Sequence, residues 1–562
     1  MKKRQFMILA TMAIGIFLCM LDTTVMNIAL PAIQTGLRTN LDTLQWALNI
    51  YTITFAALTI PLGRLADHVG RNKVYLIGLI LFLIGSLISA SSTTVTMLIA
   101  GREIQSVGAA IVFPASMTIG INSIELSKRN QAIAVLGTTQ GLAAAFGPTI
   151  GGLVTQFFGW QGIFYINAPL ILIAIGLCVI LLPLKNEPTV HAKLDLLGMF
   201  LAVITLFSLV LALVKGSDWG WTSSRVIYLL LIFILSFGLF IWRESIAPDP
   251  MIRLELFKYR DFTGSVIVTV LSGMFFVGMM VLMPSFFTNV QGHTELEAAL
   301  MITPASVMLF LFSPVSSFLL NKISSRTLIA SGIVLLALGY TGLSIMNPDI
   351  YWQFTISCIL IGTGYGTIIG PLTVLSADDF TGELLTASQS VTGVFRQIGT
   401  VLAVAVFVSS FSSNLKIAQN QVWSTAQIKV KKIDSSQIIK NKILRTTHRN
   451  LFVTENSKLS SEPVINYKTQ SNIIKNKTHQ YLENHNGSQL PLATKKKIQF
   501  QIANIVKNKV NKINLQVKNY QQEISTIVKQ KMTTAFIKPY QVATPFVWLL
   551  LCTTFIFEKR KN

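Results

Sequence analysis

Apolar runs of about 20 residues recur from Phe6 almost to Trp548, and no other feature restricts so tightly what this chain can fold into. A hydrocarbon core roughly 30 Å thick is crossed by about 20 helical residues. Within it each backbone amide must be satisfied inside its own segment, so every run is predicted to be a helix. By length alone, 562 residues would make several soluble domains, yet 51% are hydrophobic and only 12% charged, so the apolar excess belongs in lipid. The runs lie near 6–30, 44–63, 74–92, 95–119, 131–157, 162–184, 196–215, 226–244, 263–289, 297–320, 327–346, 352–374, 387–412 and 541–557, fourteen in all. The expected fold class is all-α integral membrane.

Basic residues gather in Lys2 to Arg4, Arg64 to Lys73, Lys128-Arg129, Lys185 to Lys193, Arg243 to Arg260, Lys322 to Arg326 and Glu558 to Lys561. Crossing each run once puts all of them on one side, which the positive-inside rule makes cytoplasmic, with both termini inside. The charged start and the apolar stretch after it resemble a secretory signal, but the stretch is too long, contains Asp22 and leads straight into further spans, so it is expected to be retained. Cys19, Cys178, Cys358 and Cys552 fall inside apolar runs without ligand-like spacing, and read as core residues rather than disulfides or a metal site.

One segment departs from the pattern. Between 413 and 540 the chain is polar and Asn/Lys/Gln-rich, with 22 Lys and Arg against 5 Asp and Glu, and so carries most of the formal net charge of +22. The topology places it outside, where the positive-inside rule is weak for long loops. Ile502, Val506, Val510, Ile513, Val517, Tyr520, Ile524 and Ile527 recur at spacings of three and four, the seam of an amphipathic or coiled-coil helix. A helical extension standing on helices thirteen and fourteen is therefore expected, either as a solvated cap or in contact with anionic wall polymer or lipid headgroups. Nucleic acid is not expected as a partner, because the charge is extracytoplasmic and lacks interleaved aromatic platforms.

The loop after the second run reads Gly63-Arg64-Leu65-Ala66-Asp67-His68-Val69-Gly70-Arg71-Asn72-Lys73. Gly63 permits close helix approach, Asp67 suits a helix N-terminus and Arg71 can pair with it. The loop resembles a signature of the major facilitator superfamily. A degenerate copy, Ser317 to Arg326, has Asn321 where Asp67 stands. That repeat supports two six-helix bundles with an inserted pair between them, a 6+2+6 arrangement. The boundaries expected are 1–190 for the first bundle, 191–260 for the insert, 261–412 for helices nine to thirteen, 413–540 for the extension and 541–562 for the last helix and tail.

Two further elements narrow the resemblance. In helix five, Ala143 to Gly152 resembles the G-x-x-x-G-P-x-x-G-G element of drug:proton antiporters, with Ala143 in place of the first Gly. Pro148 removes a backbone donor and kinks the helix, while Gly147, Gly151 and Gly152 leave a smooth packing surface. In helix one, Leu21 to Pro31, with Asp22, Thr24, Asn27 and Pro31, is very close to the pattern of the fourteen-helix drug:proton antiporter family, and Trp160 to Pro169 and Ser388 to Gly399 agree. The resemblance spans Met1 to about Phe411 and the last helix. It implies proton-coupled export of lipophilic, often cationic, compounds across the bacterial cytoplasmic membrane by a monomer. The proton gradient would stand in place of a cofactor, and the partners would be small lipophilic substrates, protons and membrane lipids. Export of an endogenous lipid, peptide or metabolite is an alternative, and an adhesion or sensing module built on the extension is another. The sequence has no G-x-x-x-x-G-K-[ST] loop for ATP, and no nucleophile or metal constellation that would argue for an enzyme.

The residues themselves point to Asp22. An ionised carboxylate near mid-membrane is costly, so an unpaired one takes up a proton or serves a pathway. In the interiors of the predicted helices the ionisable side chains are Asp22, Arg102, Glu103 and Arg396. At 1.5 Å per residue, Asp22 and Arg102 both lie roughly 25 Å above the cytoplasmic ends of their helices, a depth at which they can pair. Burial works against the carboxylate and Arg102 works for it, which poises the group to exchange a proton or a substrate cation. A bridge that merely packs two helices is the other reading. Glu103, about 100° round the helix from Arg102, is either a second proton or cation site or a satisfied packing residue. Arg102 to Ala110 resembles the family's R-x-x-Q-G-x-G-A-A run, in which Ser106 departs from the Gly, so a looser contact is expected there. Arg396 is a secondary candidate, expected to snorkel inward or pair with Asp378, Asp379 or Glu383.

Overall fold

The computed structural model describes residues 3–39, 41–125, 128–185, 187, 195–248, 250, 252–320, 322–347, 350–452, 467–484 and 491–557, and contains no strand among them. Asn321, in the degenerate repeat, lies outside the described residues, as do the side chains of Asn27, Pro31 and Glu383. The helices are α1 Lys3–Leu37, α2 Leu41–Val69, α3 Arg71–Ala90, α4 Val95–Asn122, α5 Arg129–Phe158, α6 Gly162–Tyr165, α7 Asn167–Leu181, α8 Leu196–Trp219, α9 Ser224–Ile246, α10 Arg260–Asn289, α11 Glu295–Leu319, α12 Ser325–Ile345, α13 Tyr351–Leu375, α14 Gly382–Ala403, α15 Ser409–Val430, α16 Gln437–Phe452, α17 Tyr467–Asn484 and α18 Leu492–Leu549. A π turn at Val404–Val408 joins α14 to α15, and a tighter 3-10 turn, Leu550–Ile556, follows α18.

Among the described residues thirteen helices are long and apolar enough to cross a membrane, and α5 makes fourteen when its two halves, Gln131–Ala143 and Phe146–Phe158, count as one span. The halves meet at 43°. Pro148 lies just past the bend and leaves one carbonyl of the preceding turn without its amide partner, the usual cause of such a kink. Fourteen spans agree with the sequence reading, but the helices overrun the apolar runs: α1 reaches Leu37 and α2 reaches Val69. Hydropathy stops at the first polar residue, whereas the hydrogen-bond ladder continues until the chain finds a cap.

The chain divides into two compact units. The first, which holds the spans, comprises 1–288, 293–410 and 537–562. In it α3 packs tightly along α4, α1 against α4, α5 and α7, and α13 against α11 and α12. Two seams join the early spans to the late ones: α14 packs on α2 and α4, and α5 packs on α11 and α13. The larger contact of each, α2 with α14 and α5 with α11, pairs the second helix of one set with the fifth of the other. The hairpin α8–α9 docks through α8 onto α2, where Val210 meets Ile53, Ala56 and Val401. The outer face of α9 exposes Leu231, Ile234 and Leu235, as a lipid-facing helix would. Cys19, Cys178 and Cys358 are buried free thiols, but Cys552 is exposed, so only three of the four cysteines are core residues.

The second unit covers 289–292 and 411–536. The expected seam is real: Val506, Val510, Ile513, Val517, Tyr520 and Ile524 are buried against Val422, Ala426, Val430 and Ile443. Half-buried Lys429 pairs with Glu523, and Lys512 with Asp434 on the surface.

Candidate functional site

The α3–α4 contact builds the centre of the site. A Cβ on Gly85 would stand 2.3 Å from the Gln105 nitrogen, so the two backbones touch and bring Ser86 of α3 up to Gln105 of α4. Arg102 and Gln105, three residues apart, share a face of α4 and both reach α1. Arg102 Nη1 donates to Asp22 Oδ2 and, at 2.8 Å, to Gln105 Oε1. Gln105 Nε2 donates to Asp22 Oδ1 at 2.8 Å and to Ser86 Oγ at 2.9 Å. Asn167, at the start of α7, donates Nδ2 to the same Asp22 oxygen at 3.5 Å and to Ser86 at 3.4 Å. Arg102 is completed by the Ala47 carbonyl at 3.3 Å and by the Tyr51 ring, whose centroid lies 4.2 Å from its guanidinium carbon. Asp22, Arg102, Gln105, Asn167 and Ser86 are all buried, so four helices converge on one carboxylate sealed from lipid.

Asp22 and Arg102 are thus brought together. Glu103 is exposed on another face of α4 and does not join the cluster. Gln105 and Asn167 stand in runs that match the family pattern but were given no role from sequence, and Ser86 and Tyr51 were not singled out. The available signal was the three-residue spacing from Arg102 to Gln105. Ser106 is buried and its Oγ donates to the Tyr51 carbonyl at 2.6 Å, so a polar bond fastens α4 to α2 where a looser contact was expected.

The motifs of helices one and five meet. A Cβ on Gly147 would lie 1.9 Å from Thr24 Oγ1, and one on Gly151 would lie 3.0 Å from the Val25 carbonyl oxygen. Pro148 is buried beside them. Gly152 faces Leu296 and Ala299 of α11, and Thr149 pairs with Thr303 at 3.1 Å, so the same stretch of α5 also forms the contact with α11.

At the other end of α2, Arg71 Nε donates to Asp67 Oδ1 at 2.7 Å and Arg64 stands 3.9 Å from Oδ2. A Cβ on Gly63 would lie 2.8 Å from Ser390 Oγ on α14. Gly70 has φ 117, which favours glycine, and any Cβ there would crowd the Glu187 carboxylate at 3.1 Å. That carboxylate accepts from the Asn72 and Lys73 amides at 2.7 and 3.1 Å, an anion on the N-terminus of α3. Arg129, marked in the sequence only as one of the basic residues on the cytoplasmic side, donates to the Ala377 carbonyl at 3.2 Å and to that of Phe380. Burial lowers its pKa and the charge of Asp378 opposes that. At the base of the α8–α9 hairpin, burial would raise the pKa of Asp195, but the Arg243 hydrogen bond at 2.9 Å and the Gly198 amide outweigh it and hold the carboxyl below its ordinary value.

Arg396 lies on α14, half-buried, and its Nε has no hydrogen-bond partner among the described residues. Tyr365 is its titratable neighbour, and it makes no ion pair with Asp378 or Asp379 among the described residues; the side chain of Glu383 lies outside them.

A sealed ion pair amid fourteen spans, with early and late helices meeting at two separate seams, defines a multi-pass membrane transport protein. The chain belongs to the Major Facilitator Superfamily, whose family model matches residues 12–404. It is 29% identical over 415 residues to the multidrug resistance protein Stp of Mycobacterium tuberculosis, covering 73% of this chain and 76% of that one. It is 27% identical to the riboflavin transporter RibZ of Clostridioides difficile, covering 74% and 90% of the two chains. Among solved structures it resembles the human organic anion transporter MFSD10, with a TM-score of 0.50, 14% identity, and coverage of 73% of this chain and 93% of that one. The protein is a transporter rather than an enzyme, and its spans and bacterial relatives place it in the cytoplasmic membrane.

Proposed function

We propose that this protein exports lipophilic compounds in exchange for protons, by alternating access, with both termini in the cytoplasm and the monomer as the working unit. The observation that carries the reading is the Asp22 cluster: one carboxylate, buried on four helices and held by Arg102, Gln105 and Asn167. A proton that neutralises Asp22 removes the charge that holds Arg102, so protonation loosens α4 from α1. In this reading 1–190 and 261–412 rock against each other, 191–260 rides as an insert and 413–540 is an accessory extension. The cytoplasmic gate is the ground around Gly63, Asp67, Gly70 and Arg71, with Arg129 on the Ala377 and Phe380 carbonyls as a latch that must open. Thr24 against Gly147, and Gly151 on Val25, give α1 and α5 the close contact on which such a motion turns. The lipophilic cations that the family resemblance implies would find Asp22 already engaged by three donors. Glu103 is exposed and would serve only a substrate arriving from the lipid side.

The similarity to a riboflavin transporter favours a second reading, movement of an endogenous metabolite by the same machinery. Efflux from proteoliposomes under an imposed pH gradient separates the readings: drug dyes should move only with the gradient present. Riboflavin movement with no dye movement would select the metabolite reading, and dye transport indifferent to the gradient would remove proton coupling.

A further inference from the structure

Two guanidinium groups inside the spans, Arg102 buried and Arg396 half-buried, differ in what surrounds them. Arg102 is matched by Asp22, whose two oxygens accept from three donors. Arg396 forms no ion pair with a described carboxylate, and its Nε is buried without a hydrogen-bond partner among the described residues. A guanidinium without a counter-charge inside a membrane bundle is costly. Snorkelling is the usual relief. Here it falls short, because Arg396 lies nine residues, about 14 Å at 1.5 Å per residue, inside the span that begins at Ala387, farther than an Arg side chain reaches.

What lies around it is aromatic. Tyr365 of α13, within reach of the Arg396 charge, stacks on Phe276 of α10 with ring centroids 4.5 Å apart and planes 12° apart. Gly393, one turn before Arg396 and on the same face of α14, leaves its space to Phe113 of α4, whose ring would meet a Cβ at 3.1 Å. Phe113 in turn sits edge-on to Phe55 of α2 at 5.9 Å. Phe113 of the early half and Tyr365 of the late half, with Phe276 stacked behind Tyr365, therefore lie at the α14 face that carries an unmatched, half-buried guanidinium.

We infer that Arg396 receives the anionic group of an amphiphilic substrate, a carboxylate, sulfonate or phosphate, whose planar apolar body lies against Phe276, Tyr365 and Phe113. A guanidinium fork matches such groups bidentately, and flat rings suit aromatic walls. A cation at the same place would add to a positive charge already uncompensated. The inference rests on the export reading and adds the substrate's charge to it. Its test is an equilibrium measurement without any gradient, so its failure would leave proton coupling through Asp22 standing.

The full chain in lipid nanodiscs is titrated with anilinonaphthalene sulfonate, with phenylnaphthylamine, which has the same rings without the acid, and with ethidium, a planar cation. Empty nanodiscs are subtracted for partitioning. Charged hydrogen bonds of this kind make the sulfonate bind about 10- to 100-fold more tightly than the amine. Arg396→Gln brings the sulfonate to the affinity of the amine and leaves the amine unchanged, while Arg396→Lys retains part of the preference. Phe276→Leu weakens both ligands alike and preserves their ratio. Equal affinity for the two in the wild-type chain overturns the proposal, as does tighter binding of ethidium than of the sulfonate, or an Arg396→Gln chain that weakens sulfonate and amine together. The wild-type ratio needs no variant, so the test holds whether or not Arg396→Gln folds.

Discussion

Replacing Asp22 by Asn is predicted to uncouple transport at a modest loss of stability. The amide keeps the volume of the carboxyl and one acceptor, so the Gln105 hydrogen bond at 2.8 Å survives, but the nitrogen now faces a donor. Breaking a buried ion pair from one side costs about 3–5 kcal/mol. Arg102 is not left bare, since it keeps the Ala47 carbonyl at 3.3 Å, Gln105 Oε1 at 2.8 Å and the Tyr51 ring at 4.2 Å. Those contacts offset about 1–2 kcal/mol, leaving a loss of roughly 1–4 kcal/mol, within the margin of an ordinary folded protein. Coupling is lost altogether. Each exchanged proton lets a pH difference of about one unit hold a roughly tenfold substrate gradient, and in Asp22→Asn that gradient falls to about unity.

The assay is drug-driven proton release in proteoliposomes, read with a trapped pH dye, beside thermal unfolding of the same preparations. Proton release at the wild-type ratio from Asp22→Asn would refute the coupling role. Adding Arg102→Met to Asp22→Asn removes both charges and separates the bridge from the coupling. An ion pair replaced by well-packed apolar groups is often neutral or stabilising, so the double variant should regain most of the lost stability and still release no protons. Were the pair only a bridge, the double variant would transport and release protons as the wild type does.

Three further outcomes follow from the geometry. Gly147→Ala puts a methyl 1.9 Å from Thr24 Oγ1 and should cost about 1–3 kcal/mol by overpacking, with efflux reduced. Thr24→Gly in the same chain should recover much of both, as thermal unfolding and dye efflux would show. The Asp195–Arg243 link at the base of the α8–α9 hairpin lies in a carboxyl held below its ordinary value. Its contribution is therefore fully present above pH 3.8, the unfolded value, and is lost only as pH falls through the lower folded value. Asp195→Ala should cost about 1 kcal/mol, as a lost helix cap, across neutral and mildly acidic pH and nothing below that window. Phe411 and Phe536 have ring centroids 4.0 Å apart, so a short Gly/Ser linker can replace what lies between them, and dye efflux should persist; its loss would make the extension part of the transport machinery.

The carboxylate and its partner were legible because charge is scarce in an apolar sequence and depth can be counted in residues. Gln105 and Asn167, which contribute two of the three donors to Asp22, were not. An amide carries no charge penalty that would mark it, and its meaning appears only when the α3–α4 backbones touch at Gly85. The same limit explains why Thr24 and Gly147 read as members of two separate motifs: their contact depends on where α1 crosses α5. It also explains Glu103 and Arg396, two charges equally visible in the sequence. The 100° step between helix neighbours sends Glu103 to an exposed face once Arg102 is fixed inward. Arg396 is half-buried beside Tyr365, on the helix face where Gly393 meets Phe113, aromatic residues that in sequence look like any lipid-facing ones. A charge inside a span is therefore only half of a functional assignment. The other half is whether the fold supplies its counter-charge, as it does for Arg102, or leaves that place for a ligand, as it does for Arg396.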